Sequence, residues 1–103
     1  AAAMEKQRLM WEQFCQKYSG RISAEETRAG REEALQMLEK KDTLPPIRLK
    51  VAKYISDGYV LERNLPKALE YLEIARDADP ESQAAKKLEP WIDNMRKHIN
   101  QEK

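Results

Sequence analysis

The sequence lacks almost every residue that carries chemistry on its own. It holds one cysteine, Cys15, and one histidine, His98. A single cysteine cannot close an internal disulfide, so the fold does not depend on an oxidising compartment. One cysteine and one histidine are also too few nitrogen and sulfur ligands for the usual zinc site. The three glycines, Gly20, Gly30 and Gly58, are isolated, which excludes a glycine-rich phosphate loop. No apolar run approaches the roughly 18–20 residues that span a membrane. Neither sign of charge is in excess: 19 basic residues face 18 acidic ones, with 8 of each over residues 1–43 and 11 against 10 over 44–103. With neither a basic arm nor an acidic tail, nucleic acid and membrane are not expected partners.

What is present is helical and well solvated. The 103 residues suit a single domain, 1–103, and 41% are hydrophobic while 36% are charged. Ala1-Ala2-Ala3 ahead of Met4 reads as a cloning remnant without signal-peptide character. With Met4 as the native start, a cytoplasmic protein is expected.

Taken in order, residues 4–18 form a first helix, with Trp11, Phe14 and Tyr18 recurring at helical steps and Met10 and Cys15 beside them. Ser19-Gly20 stops it, the glycine suiting the left-handed turn after a helix end. Ser23-Ala24-Glu25-Glu26 is a capping box opening a second helix over about 24–41, with Ala34, Leu35 and Leu38 as its apolar side. Gly30 lies inside that helix at a cost of ~1 kcal/mol relative to alanine. It either permits a close helix contact or marks a later start. Pro46 begins a third helix with Ile47, Val51, Ala52 and Ile55 inward, and Asp57-Gly58 is expected to break it. Asn64 caps a fourth helix with Pro66 in its first turn and Ala68, Leu69, Leu72 and Ala75 inward, closed by Asp79-Pro80. The last segment keeps Ala84, Leu88, Trp91, Ile92, Met95 and Ile99 in helical phase across Pro90, as one kinked helix or two nearly continuous ones.

Residues 34–46 repeat at an offset of 34: Ala34, Leu35, Leu38, Glu39 and Pro46 fall on Ala68, Leu69, Leu72, Glu73 and Pro80. The unit that ends at Pro80 resembles the tetratricopeptide family in the spacing of Ala52, Ile55, Ser56, Tyr59, Ala68, Leu72, Ala75 and Pro80. Ala52 stands where that family usually has a bulky residue. The turn Asp57-Gly58-Tyr59-Val60 and the run Asn64 to Ala68 also resemble the related Sel1-like repeats, without their second glycine. The resemblance is specific over about 49–80, moderate over 34–48 and poor before residue 30. It implies an all-α, right-handed stack of antiparallel helical hairpins. The first repeat would cover about 5–46, the second 47–80, and a capping helix 81–101, with Trp11 and Trp91 as covers at the two ends.

Cys15, beside the apolar stripe of the first helix, is expected to be a small buried hydrophobe. His98 pairs with Glu102 one turn on. The neighbouring carboxylates Glu25-Glu26 and Glu32-Glu33 do not face each other on a helix and belong to a solvated face. No catalytic residue, cofactor or metal is therefore expected, and no enzyme. Lys50, Lys53, Tyr54 and Asp57 lie at three- and four-residue steps on a face opposite Val51, Ala52 and Ile55. In tetratricopeptide arrays the first helix of each pair lines a concave groove, so the resemblance makes these four the candidate partner-binding residues. The expected function is a protein–protein interaction module, an adaptor or small chaperone that holds a peptide or protein segment. The alternative is a structural or assembly module that forms a homodimer or docks on a larger protein through Val60, Leu61 and Leu65.

Overall fold

A computed structural model describes residues 2–18 and 24–101, and of residues 24–26 the backbone alone. The expected stop at Ser19-Gly20, the Ser23–Glu26 capping box and the His98–Glu102 pair fall outside the described residues. Those described form α1 (Ala2–Lys17), α2 (Ala24–Glu39), α3 (Pro45–Leu61), α4 (Leu65–Ala78) and α5 (Gln83–Gln101). Consecutive helices pack in antiparallel order, α2 on α3, α3 on α4 and α4 on α5, while α1 lies along α3. The molecule measures 47 × 34 × 21 Å, so its thin dimension is about two helix diameters.

α3 is the spine, because it is buried on two sides. Ile47, Val51 and Ile55 join Phe14 of α1 and Ala34 of α2 in one core cluster. Leu49 and Ala52 join Leu72 and Ala75 of α4 and Ala85, Leu88 and Ile92 of α5 in another. The first cluster is rich in rings: Trp11 stacks on Phe14 at 5.1 Å, and Tyr54 meets Phe14 edge to face at 4.9 Å. The second is rich in small residues, which let α3 and α4 approach closely. There Ser56, nearly fully buried, donates from Oγ to the Ala68 carbonyl at 2.6 Å and ties the pair by a polar contact inside the core.

Helix ends are set by short-range chemistry. Pro45 and Pro46 occupy the first turn of α3, where no intrahelical N–H is needed. Arg48 reaches back to the end of α2, donating to the carbonyls of Leu38 at 2.8 Å and Lys40 at 2.9 Å. Asn64 caps α4 as expected, its side chain accepting from the Lys67 N–H at 3.3 Å. Ser82 caps α5 in the same way, accepting from Ala85 N–H at 3.1 Å while its hydroxyl donates to Asp79 O at 2.7 Å.

Four expectations are corrected. Asp57-Gly58 does not break α3, which runs on to Leu61. Gly58 is buried inside the helix, and a Cβ there would be in ordinary contact with Thr27, so the glycine serves no left-handed turn. The break is a Schellman motif instead. Arg63 adopts φ 61°, its N–H bonds to Val60 O at 2.9 Å, and Asn64 N–H bonds to Tyr59 O at 2.9 Å. Arg63→Gly should therefore raise stability by about 0.5–1 kcal/mol, read as a higher urea midpoint, because the left-handed conformation costs an L-residue about 1–2 kcal/mol and glycine recovers most of it.

The second correction is Cys15, which is exposed. It sits one step past the buried Phe14, so the α1 stripe that faces the core passes it by. The third is Trp91, whose exposure of 55% makes it no end cover, whereas Trp11 is half-buried against Phe14. The fourth is the inner face of α5, which uses Ala85 rather than Ala84. α5 is one continuous helix through Pro90. Pro90 and Lys86 both lie on the exposed side, where water can take the carbonyl that the proline leaves unbonded.

Candidate functional site

The packing of α3, α4 and α5 leaves a groove between α3 and α5, floored by α4. Its volume is about 360 Å³. Asp57 and Val60 come from α3, Leu65 and Leu72 from α4, and Trp91, Asn94, Met95 and His98 from α5. Ile92 and Leu88 hold α5 against the core, which turns Trp91 and His98 to the flank. The exposed Trp91, the half-buried Met95 and the exposed Val60 give the groove an apolar lining.

Lys53 links the two walls. Its Nζ lies 3.1 Å from Asp57 Oδ2, one turn on, and 5.2 Å from the centre of the Trp91 ring. The ion pair neutralises Asp57, and the cation holds the indole by its face. The groove is consequently near-neutral, with an aromatic lip, and is built to take apolar or amphipathic side chains rather than a strong ion.

The structure separates the four residues that the sequence placed on one face. Lys53 and Asp57 meet at the groove. Lys50 is exposed on the same helix but lies toward α1, close enough to Cys15 to draw its thiol toward ionisation. Although its surface is open to solvent, the side chains around Cys15 desolvate the thiol more than Lys50 favours the thiolate, and Glu12 opposes ionisation as well, so Cys15 titrates above its ordinary value. Tyr54 points the other way. Its ring packs edge to face on both Trp11 at 6.1 Å and Phe14, and its hydroxyl abuts Gly30 of α2. Burial pushes the Tyr54 phenol up. The close-contact reading of Gly30 is the one the structure supports.

Sequence reasoning missed the α5 half of the groove. With Ala85 inward, Ala85, Leu88, Ile92, Met95 and Ile99 form a stripe at three- and four-residue steps, and Trp91 beside it is surplus to the core. On the opposite face, Arg31 lies 4.4 Å from the Tyr59 ring centre, and Tyr59 stacks on Tyr71 at 5.7 Å. Arg31 Nη1 is 2.8 Å from Glu62 as an ion pair without hydrogen-bond alignment, so this assembly fastens α2 to the end of α3 and to α4. Among the described residues no group of three or more histidine, cysteine or acidic side chains is placed to hold a metal ion. None of the helices described is long and apolar enough to cross a membrane. The chain matches no model of a known protein family, no curated protein and no solved structure.

Proposed function

We propose that this domain is a protein–protein interaction module, an adaptor or small chaperone, that receives a peptide or protein segment in the groove between α3 and α5. The observation that carries this reading is Trp91. A tryptophan 55% exposed, fixed by Lys53 at the edge of an apolar hollow, has the character of an interface anchor. We further propose that α1–α2 and α3–α4 are two repeats of a tetratricopeptide or Sel1-like kind, with α5 as the capping helix. The antiparallel order of α2 to α5 and the small residues between α3 and α4 support the second repeat and its cap, while the first rests on the sequence match of Ala34, Leu35 and Leu38 to Ala68, Leu69 and Leu72. No catalytic role is assigned.

The test is to isolate the native partner with the intact domain and compare affinities. Trp91→Ala combined with Lys53→Glu should weaken binding by about 2 kcal/mol, close to thirtyfold, with helicity unchanged. Undiminished binding by that variant rejects the groove. A second reading, self-association, draws on Val60 and Leu61, which are 41% and 61% exposed next to this groove. Sedimentation at several concentrations distinguishes the two: a dimer abolished by Leu61→Glu favours assembly, and a monomer throughout favours the adaptor.

A further inference from the structure

We propose that the cleft between α1 and α2 is a second docking site, which takes a helical segment of another protein bearing an apolar stripe and carboxylates at one end. This site is independent of the groove between α3 and α5.

The α1 backbone stands off from α2, and large side chains bridge the gap instead of close helix packing. Two hollows follow, of about 480 and 360 Å³, that share Met10, Met37 and Lys40 and so form one trough along α1. The floor is apolar: Phe14 and Ile47 are buried beneath it, Met37 is half-buried, and Met10 remains 40% exposed. Methionine is unbranched and repacks readily, which suits a surface that must fit an incoming side chain. α1 has 16 residues, and a helix of that length runs about 24 Å, enough for some four turns of a partner laid along it. A trough bordered by two helices, with no strand edge, receives a helix by ridge-and-groove packing.

The charges give the occupant a direction. At the end formed by the start of α1 and the end of α2, Lys6 and Lys40 line the trough and neither has an ion-pair partner among the described residues. Asp42 is the one carboxylate lining that end, so a positive excess remains. At the far end Lys17 is neutralised by Glu33 at 2.8 Å, and Tyr18 also bonds that carboxylate and helps hold it below the usual range. An incoming helix therefore gains by placing its carboxylates at the Lys6–Lys40 end and neutral residues at the other.

The experiment uses the full chain with methyl-labelled methionine and a synthetic helical peptide of about 14 residues, matching the trough length, with a leucine stripe and two or three glutamates at one terminus. A matched peptide carries lysines in place of the glutamates. The Met10 and Met37 methyl signals should shift saturably with the acidic peptide while Met95, in the other groove, stays unmoved. Lys6→Glu with Lys40→Glu, both exposed, should weaken the acidic peptide about tenfold and strengthen the basic one. The proposal is overturned if only Met95 responds, if both peptides bind equally, or if Met10 and Met37 shift with protein concentration alone, which would make the cleft a self-association face.

Discussion

Ile55→Ala should cost about 4 kcal/mol, a large part of the roughly 5–15 kcal/mol available to a domain of this size. Ile55 has no exposed surface and lies in the middle of α3. Its neighbours cannot close the gap cheaply. Phe14 is held by Trp11 on one side and Tyr54 on another, and Ala34 is too small to reach in. The loss is therefore a transfer term plus a lasting cavity, toward the upper end of such changes. Urea unfolding followed by circular dichroism should show a lower midpoint with an unchanged slope. Leu61→Ala, six residues on in the same helix but 61% exposed, should stay within about 0.5 kcal/mol. Equal costs at the two positions would mean that α3 is not the spine.

Gly30→Leu should cost about 3 kcal/mol, although glycine inside a helix is ordinarily the weaker choice. A Cβ at Gly30 collides with the Tyr54 hydroxyl, and Tyr18 lies within 3.3 Å of it. The Tyr54 ring cannot retreat, because Trp11 and Phe14 meet it edge-on. Gly30→Ala sets two effects against each other: helix propensity favours alanine by about 1 kcal/mol, while crowding costs about 1–3 kcal/mol. The sum should be destabilising. Tyr54→Phe removes the colliding oxygen, so Gly30→Ala should be less destabilising in that background than in the parent. Thermal unfolding of the four proteins in this cycle measures the coupling, and additive effects would show that Gly30 and Tyr54 do not meet.

These two positions also mark how far the sequence could be read. What depends on a few neighbouring residues was legible: Asn64 with Pro66, the double proline before Ile47, and the apolar steps of α4. The end of α3 was not, because Gly58 is a strong local signal that burial against Thr27 overrides, and the true stop uses Arg63, a residue with no preference for a left-handed turn. The candidate site was half legible. Lys53 and Asp57 share a helical face by spacing alone. Which side Tyr54 takes depends on whether a gap exists at Gly30, and that gap is made by a different helix. Trp91 was visible as an apolar residue, but its surplus over the core stripe emerges only when Ala85 is seen to take the inward position.

The loose seating of α1 has one more consequence. Its contacts include the rings of Trp11, Phe14 and Tyr18, the side chain of Met4, Gln7, which donates to Asp42 O at 2.7 Å and accepts from Leu44 N–H at 2.8 Å, and the exposed Lys17–Glu33 pair. α3, α4 and α5 share closer backbone packing and a separate core. Local opening follows the cheapest boundary, and here that boundary lies between α1 and the rest. The N-terminal helix then behaves as a latch whose release uncovers Val51 and Ile55 while the remaining helices stay folded. Whatever rests against α1 sets how often that latch is open.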